Sequence, residues 1–354
     1  MKILYPAFIR LPTEKAHGVQ IVKTCEAFAE AGVDVELVIP GRKTQIQESV
    51  FAYYGAKNNF SIVSTNTPDL VAHGPIGFFV SALWFAEAVK WQKSFWKADV
   101  IYSRDAFVLL QYILLGRKLV YEAHTKPTVI STFVAKRVHR LVVISEGLRD
   151  AYLKRGVSSE KIIVAHDAID LELFKKEHSQ TESRQWLGIP QDKKIALYVG
   201  RIDAAKGADT FAAVSELVSN DWLCVLIGSG PLKKMLQKQY PKALFLSETP
   251  YRELARVLAT ADVLVLPNSG KDENASKYTS PLKAFAYLAA QKPIVAANVP
   301  ALETVLQERA HYFSADSSQS LLSSLERLSS ETEYNDLSSH TWHIRSAIIL
   351  KAFE

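Results

Sequence analysis

The chain has 354 residues, of which 48% are apolar and 22% charged, with 15 glycines and 14 prolines. This composition is typical of a globular protein and excludes collagen-like and low-complexity chains, and the length predicts about two domains of roughly 100–200 residues. The net charge of +5 does not by itself indicate nucleic-acid binding.

The cysteines and the N-terminus restrict the class of protein further. Cys25 and Cys224 each lie in an apolar pattern, which predicts reduced thiols in the core, and two cysteines exclude a disulfide framework. The first residues contain one lysine and too short an apolar run for a secretion signal. No stretch reaches the ~18 consecutive apolar residues that a membrane-spanning helix needs. We therefore expect a cytoplasmic protein.

The first half of the chain, residues 1–170, alternates short apolar strands with helical patterns. The strands are β-branched and apolar on both faces, as parallel strands covered by helices on two sides should be. The helical pattern after Gly18 ends at Ala31-Gly32, an ordinary helix C-terminus. The pattern predicts a doubly wound α/β domain. Its strands are KILYPAF, DVELVIP, FSIVS, DVIYS, KLVYEAH, RLVVIS and KIIVAH.

Residues 76–96 form the most apolar and aromatic stretch of the chain, interrupted by Glu87 and Lys90. We interpret this stretch as a buried helix, with shallow contact with a membrane as the alternative.

A local basic cluster follows: Lys136, Arg137, His139 and Arg140. A solvated helix face is the favoured interpretation of this cluster, and contact with an anionic membrane or acceptor stays open.

The strand pattern lapses over residues 171–192, which are polar, charged and interrupted by Pro190. We predict an inter-domain linker with one short helix. Strands resume over 193–337 and predict a second α/β domain, and 338–354 has the pattern of an amphipathic helix. Two such domains facing each other would place a cleft beyond the carboxyl ends of their strands, where ligands bind to open α/β sheets. The second set of strands is KIALYVG, WLCVLIG, ALFLS, DVLVLP, PIVAAN and HYFSA.

Two cations lie where the first strand of the second domain leads into a helix. Arg201 and Lys206 follow Gly200 on this loop. A helix N-terminus attracts anions, and arginine offers a bidentate fork, so the loop is a candidate diphosphate site. An exposed basic loop is the alternative. Gly228 and Gly230 follow the next strand, where glycines either let the backbone approach a ligand or make an ordinary turn.

A long polar loop follows the strand that ends at Pro267. Ser280 and Pro281 then predict the N-cap and the first residue of a helix. The free N–H groups near Leu282 and Lys283 would suit a phosphate or sugar hydroxyls. A helix capped without any ligand is the alternative.

In the first domain, Gly18 follows His17 where the first strand leads into the first helix, and glycine there would let a loop fold over a substrate. His124 ends the strand KLVYEAH, and contact with a ligand is favoured for it. Glu122 lies two residues earlier on the same strand face and would hold the imidazole in one tautomer. His166 ends a later strand, and a structural role is favoured there.

These motifs together resemble the retaining glycosyltransferases of the GT-B fold, in the large family 4 group. The likeness covers nearly the whole chain and is specific as a combination. It is carried, in order, by HGVQ, VYEAH, VVIS, VAHDAIDLELF, YVGR with its KG, GSGP, YRELARVLATADVLVLPN and YTSPLKAFAYLAAQKPIVA. The resemblance implies two facing Rossmann-like domains, the final helix crossing back onto the first. It also implies transfer of a sugar from a nucleoside diphosphate sugar, such as a UDP- or GDP-sugar, without a metal or other cofactor.

The resemblance also implies roles for individual residues. Arg201 and Lys206 would bind the donor diphosphate, and His124 would contact the transferred sugar. Gly18 would lie under donor and acceptor, and the segment from Glu248 to Arg252 would recognise the base. The remaining donor contacts would come from the backbone at Gly200, Gly228, Thr279, Ser280, Pro281, Leu282 and Lys283.

The chain departs from the family at two positions where glutamates are usual, Tyr278 and Ala286. Members with the YTSPLK loop often lack the first. The second normally accepts hydrogen bonds from both ribose hydroxyls, and Ala286 cannot. Losing them costs roughly 1.5–3 kcal/mol, or about ten- to a hundredfold in donor affinity. A catalytically weakened or silent subunit that binds or scaffolds a partner is therefore the alternative to an active transferase.

Other functions fit the sequence less well. A nucleotide-sugar epimerase needs more carboxylates than we find, and the missing GxGxxG motif argues against NAD(P) binding. The acceptor stays open among a glycan, a lipid carrier and a small molecule, as do peripheral membrane contact and the oligomeric state. No nucleic-acid partner is expected.

Overall fold

The computed structural model describes residues 1–328 and 337–353, and it divides into two compact units. The first unit comprises residues 1–167 together with the segment from Trp342 onward, and the second comprises Ala168–Thr341. The predicted domain ranges that include 329–336 and 354 extend beyond the described residues. Each unit is an α/β domain with one wholly parallel sheet, which confirms the predicted fold class.

The sheet of the first unit has seven parallel strands in the order β3-β2-β1-β4-β5-β6-β7. The order runs outward from β1 in both directions, which is the doubly wound arrangement. Most of the strand residues are buried because helices cover the sheet, whereas the edge strands β3 and β7 are only partly covered. The strands are β1 Lys2–Pro6, β2 Asp34–Pro40, β3 Ser61–Thr65, β4 Val100–Ser103, β5 Leu119–Ala123, β6 Arg140–Val143 and β7 Ile162–Val164.

The helices of the first unit connect these strands, except for the last one, which follows the second unit in sequence. They are α1 Ala16–Glu30, α2 Val50–Tyr54, α3 Gly74–Lys90, α4 Lys93–Lys97, α5 Ala106–Leu110, α6 Val129–Arg137, α7 Glu146–Lys154 and α16 Trp342–Leu350. α16 packs against α1. The chain after the second unit therefore completes the core of the first.

The sheet of the second unit has six parallel strands in the order β10-β9-β8-β11-β12-β13. It repeats the doubly wound order from its own first strand, β8. Cys224 is buried in this core and Cys25 in the core of the first unit, both as free thiols, as predicted. The strands are β8 Lys194–Val199, β9 Trp222–Ile227, β10 Leu244–Leu246, β11 Val263–Leu266, β12 Ile294–Ala297 and β13 His311–Phe313.

The second unit begins with the segment predicted as a linker. Residues 171–192 hold two short helices instead of one, and they belong to the second unit. The guanidinium of Arg184 donates to Asp262 Oδ2 at 2.7 Å and to the carbonyl oxygen of Thr260 at 2.9 Å, which fixes this segment to the domain. The helices are α8 Glu172–Lys175, α9 Gln180–Leu187, α10 Ala208–Val214, α11 Lys233–Gln239, α12 Leu254–Ala259, α13 Leu282–Ala289, α14 Pro300–Leu306 and α15 Ser318–Glu326.

The expectation of a buried helix within residues 76–96 needs correction. α3 buries Phe85 and Val89, but Ile76, Leu83 and Trp84 on its other side are exposed. A helix that is apolar all round is normally buried on all sides, whereas one side of α3 stays largely exposed over the residues that the structure describes. Within the described residues, no helix combines the length and apolarity needed to cross a membrane.

Candidate functional site

Glycine backbone shapes the carboxyl end of β8 in the second unit. Gly207 has φ +66°, and a Cβ there would lie 1.8 Å from the carbonyl oxygen of Pro267. Gly228 has φ +151°, and its Cβ would lie 2.0 Å from the carbonyl oxygen of Gly200. Side chains do not fit at either position, so the loops after β8, β9 and β11 approach one another through bare backbone. The sequence left open whether Gly228 lets the backbone approach a ligand or makes an ordinary turn. In the structure, Gly228 lets its backbone approach the loop at Gly200.

The loop between β8 and α10 carries the two predicted cations, held by one acid. Asp203 accepts from Arg201 Nε at 2.7 Å and from the backbone N–H of Lys206 at 2.9 Å. The Arg201 side chain is 57% exposed, so most of its guanidinium is available to a ligand. Burial lowers the pKa of the Lys206 ammonium, and Asp203 and Asp272 oppose that shift. A ligand anion would oppose it further.

The ammonium of Lys283 is a third cation of the same site. Nζ lies 4.2 Å from the centre of the Tyr198 ring, is buried, and has no hydrogen-bond partner among the described residues. Burial lowers the pKa of Lys283 well below its ordinary value, repulsion from Lys206 lowers it further, and Asp203 opposes both. A Cβ on Gly200 would lie 3.1 Å from this Nζ, so the ammonium occupies the space beside bare backbone. The sequence indicated only the backbone of Lys283 and missed its side chain.

The start of α13 differs from the prediction. The N-cap is Pro281 rather than Ser280, it makes no side-chain cap bond, and the helix begins at Leu282. Proline cannot donate, and the first N–H groups of a helix have no partner within the helix, so the backbone near Lys283 still presents donors. A single π-helical turn, Asn274–Tyr278, leads into this segment, and Thr279 is half-buried between them.

The two positions implied for the nucleoside lie in different surroundings. Ala286 is 2% exposed on α13, within the hydrophobic core of the second unit. The next residue, Tyr287, accepts a hydrogen bond at its hydroxyl from the backbone N–H of Val199 at 3.0 Å, which ties α13 to the end of β8. Glu248 is exposed, two residues after the edge strand β10.

A buried carboxylate organises the carboxyl end of β5 in the first unit. Glu122 is fully buried, and its Oε1 accepts from Gln20 Nε2 at 2.6 Å and from the guanidinium of Arg345. Its Oε2 accepts from the Tyr102 hydroxyl. Burial opposes ionisation, but the charge of Arg345, and then His124, hold the pKa of Glu122 well below its ordinary value. Glu122 is therefore a carboxylate and acts as the common acceptor of this network.

His124 lies against that carboxylate, with Nε2 2.8 Å from Glu122 Oε1. Burial and the nearby Arg104 lower the pKa of His124 to about 4, against the opposing effect of Glu122. The ring is therefore neutral near pH 7. Because a carboxylate can only accept, the Nε2 proton points to Glu122 and Nδ1 remains an acceptor.

A second neutral histidine and an arginine complete the polar cluster. Burial, Arg104, Lys15 and His124 together lower the pKa of His17 to about 4. Arg104 Nη1 donates to Gln20 Oε1 at 2.7 Å. Sequence reasoning missed Arg104 and Arg345. Arg104 follows β4 at the edge where ligands bind, which was an available signal.

Packing within the first unit also requires glycine at position 18, and the predicted place of Gly18 beside the substrate stays a prediction. Gly18 lies in the first turn of α1, and a Cβ there would be 2.1 Å from the Tyr54 hydroxyl oxygen. That hydroxyl donates to the Thr13 carbonyl at 2.7 Å and accepts from the Thr13 N–H at 2.9 Å. Packing of Tyr54 therefore excludes a side chain at this position. The backbone carbonyl of His166 accepts from Arg345 Nε at 3.0 Å, and the structural role of its imidazole stays a prediction.

The structure thus brings predicted residues together in two groups. In the first unit, His124 joins the cluster around Glu122. The second unit brings together Gly200, Arg201, Lys206, Gly228 and Lys283. Over the described ranges 1–328 and 337–353, no group of three or more His, Cys, Asp or Glu side chains is placed to hold a metal ion.

Two parallel doubly wound sheets in two units define an α/β protein with two Rossmann-like domains. Family models identify its class more closely. Residues 193–331 match the family described as Glycosyl transferases group 1, and residues 17–173 match Glycosyltransferase Family 4. The chain belongs to this family 4-like group of glycosyltransferases and has its GT-B fold.

Individual relatives are distant. A D-inositol 3-phosphate glycosyltransferase of Corynebacterium efficiens is 23% identical over 246 residues, which are 64% of this chain and 56% of that protein. The curated relatives are matched over 30% to 64% of their own lengths. Sucrose-phosphate synthase of Thermosynechococcus elongatus has a TM-score of 0.76 at 17% identity, covering 99% of this chain and 96% of that one. HepE of Anabaena, in complex with UDP and glucose, has a TM-score of 0.72 at 14% identity, with 99% and 94% covered.

Proposed function

We propose that this chain transfers a sugar from a nucleoside diphosphate sugar to an acceptor hydroxyl, with retention of configuration. The observation that carries the proposal is the group of three cations, Arg201, Lys206 and Lys283, gathered around Asp203, with Asp272 also near Lys206. The ammonium of Lys283, which has no hydrogen-bond partner among the described residues, is suited to bind a polyanion. Solved relatives of the same fold that bind UDP and UDP-glucose support a nucleotide-sugar donor.

The reaction needs charge stabilisation more than a nucleophilic side chain. The bond from the anomeric carbon to the distal phosphate oxygen breaks, and the acceptor oxygen bonds to that carbon from the same face. The acceptor proton leaves with the diphosphate. Arg201, Lys206 and Lys283 would hold the negative charge that develops on the leaving group, most strongly in the transition state. We propose that these cations, with the N-terminal turn of α13, replace a metal.

His124 would contact the transferred sugar as a neutral ring. Its Nδ1 is the atom left to accept from a sugar hydroxyl, because Nε2 is bonded to Glu122. The network through Glu122 and Arg345 fixes the ring orientation and so positions the sugar. Preorganised contacts of this kind lower a barrier without reorganisation at the moment of reaction.

A silent binding subunit is the second candidate, and Ala286 is the observation that favours it. The side chain is buried and offers no oxygen to a ribose. Restoring a carboxylate in Ala286→Glu would raise affinity for UDP or GDP about ten- to a hundredfold in a disabled enzyme. No binding by either form would favour a scaffold.

The test measures nucleoside diphosphate release from a panel of UDP- and GDP-sugars. Arg201→Ala and Lys206→Ala should each lower release at least a hundredfold, since each removes a charge-assisted contact that strengthens in the transition state. Lys234→Ala, which removes an exposed lysine of α11, is the matched control and should retain activity. Wild-type release by both site variants would refute the proposal, and an inverted anomeric product would refute retention.

A further inference from the structure

One face of α3 is apolar and largely exposed among the described residues, apart from the contact of Phe79 with Phe107 of α5. Ile76, Leu83 and Trp84 project from it at helical spacing, and their exposed fractions are 79%, 45% and 56%. Phe79 lies on the same face and is also exposed. Exposing one large apolar residue is ordinary, but a row of them along one helix marks an interaction surface.

The elements that pack beside α3 also expose apolar side chains. α5 packs against both α3 and α6, and the Phe79 and Phe107 rings lie 5.2 Å apart across the first of these contacts. Leu114, in the turn after α5, is 95% exposed, and Val129 at the start of α6 is 81% exposed. Phe133 on α6 is also exposed. We call this surface the aromatic face: Ile76, Leu83, Trp84, Leu114, Val129 and Phe133.

The same part of the chain carries the excess positive charge. Residues 71–140 contain ten Lys and Arg against four Asp and Glu. The whole chain has 42 against 37, so the remainder has 32 against 33 and is nearly neutral. Not all of these charges are at the surface: Glu122 is buried with Arg345, and Arg104, Arg117 and Lys118 are part-buried and bonded to groups of the first unit. The exposed cations are Lys93, Lys97, Lys126, Lys136 and Arg137.

Several long polar side chains lie along the aromatic face in the manner of membrane-interface residues. The Arg137 guanidinium stacks 3.5 Å over the Phe133 ring, and Trp96 Nε1 donates to the Lys90 carbonyl at 3.0 Å while its ring stays exposed. Lys93 and Lys97 on α4 are exposed beside Trp96. Amphipathic side chains of this kind place apolar atoms at a bilayer boundary and charges among headgroups.

We propose that the aromatic face docks on an anionic lipid bilayer, in the plane of the interface and without spanning it. Apolar side chains supply insertion, and the exposed cations Lys93, Lys97, Lys126, Lys136 and Arg137 supply attraction to anionic headgroups. Charge complementarity distinguishes this occupant from a second copy of the chain, because two copies of so basic a surface would repel each other.

The test is co-sedimentation of the full chain with vesicles of phosphatidylcholine alone or with 30% phosphatidylglycerol, at two salt concentrations. We expect binding to the anionic vesicles that weakens with salt and little binding to neutral ones. Leu83→Ser combined with Trp84→Ser should weaken binding at least tenfold, because about half of each apolar side chain is available for insertion. Leu217→Ser combined with Met235→Ser removes equally exposed apolar residues of the second unit and should leave binding unchanged.

A second pair tests the charges. Lys93→Gln with Lys97→Gln should weaken binding about 25-fold, at about 1 kcal/mol per cation near an anionic surface. Lys234→Gln with Lys238→Gln, exposed lysines on α11, should have no effect. The charge pair keeps the proposal testable if the serine variant fails to fold. The proposal is overturned if the chain does not bind anionic vesicles, or if it binds neutral vesicles equally well. It is also overturned if both control variants lose as much binding as the test variants, or if the wild-type chain is a dimer that the serine variant abolishes.

Discussion

The unpartnered ammonium of Lys283 predicts that one substitution has opposite effects on stability and on ligand affinity. Lys283→Met removes the charge and keeps an unbranched side chain of similar length. Without ligand, the lysine has its Nζ buried without a hydrogen-bond partner among the described residues and lies near Lys206, while the Tyr198 ring and the charge of Asp203 favour its ionised form. We therefore expect the methionine variant to be the more stable protein in the absence of ligand.

The magnitude follows from the competing contributions. A buried polar group without a hydrogen bond costs about 1–3 kcal/mol, and more when it is charged. The cation–π contact with Tyr198 offsets about 0.5–2 kcal/mol of this. Methionine restores about 0.3–1.5 kcal/mol through a sulfur–aromatic contact with the same ring. The balance favours the variant by about 1 kcal/mol in the free energy of unfolding, measured by urea denaturation of ligand-free protein.

Ligand affinity should change in the other direction. The ammonium would make a charge-assisted hydrogen bond to a phosphate oxygen, worth about 1.5–3 kcal/mol. Calorimetric titration should therefore show UDP and GDP bound about ten- to a hundredfold more weakly by the variant. Uridine and guanosine, which lack phosphate, should be unaffected. Unchanged affinity for both diphosphates, where wild type binds one of them, would refute the role of Lys283.

Lys233 provides a matched control for stability. Its ammonium donates to the carbonyl oxygens of Gly228 at 2.9 Å and Leu246 at 2.7 Å. Lys233→Met leaves both carbonyls without this donor, so it should destabilise the protein by about 1–2 kcal/mol. Opposite signs for two Lys→Met changes in one unit would show that hydrogen-bond satisfaction, rather than the loss of a lysine, decides the outcome.

Three further predictions concern the network and the backbone. Arg345→Met should lower the free energy of unfolding by about 3–5 kcal/mol, because it leaves Glu122 buried without its cation; a urea midpoint within error of wild type would contradict this. Gly207→Ala should lower the free energy of unfolding by more than 3 kcal/mol, since its Cβ would overlap a carbonyl oxygen and its φ is +66°. Gly188→Ala is the control: its φ is +69° but its Cβ would lie in open space, so it should cost only about 1–2 kcal/mol. Equal losses of stability in thermal denaturation would exclude the overlap. The pKa of His124 is lowered from 6.5 to about 4, so between these pH values the ring is neutral in the folded protein and protonated in the unfolded one. The free energy of unfolding therefore falls as pH drops from 6.5 to 4. At pH 4.5 this loss should be about 2 kcal/mol smaller in His124→Gln, and a pH profile of the variant that runs parallel to that of wild type would contradict the prediction.

The strands were the most predictable part of the molecule. All thirteen predicted strands form, because a parallel strand covered on both faces must be apolar throughout, and that run is visible in single segments such as KIALYVG. The cations Arg201 and Lys206 were equally visible, since a strand-to-helix loop in this fold class has a known relation to ligands.

Long-range packing was the part that sequence did not contain. Arg345 and Glu122 are 223 positions apart, and no local pattern relates them. The unpartnered state of Lys283 depends on what surrounds its Nζ, which periodicity does not report. Apolarity on all sides of α3 predicted burial, because a sequence does not show whether the second side of a helix has a partner.

The place of Arg345 in the chain has a consequence for biosynthesis. Glu122 leaves the ribosome long before the residue that neutralises it, and the entire second unit is made in between. Nascent residues 1–167 would therefore collapse around a carboxylate that lacks its counter-ion. The first unit to be translated is then the last to complete its native core.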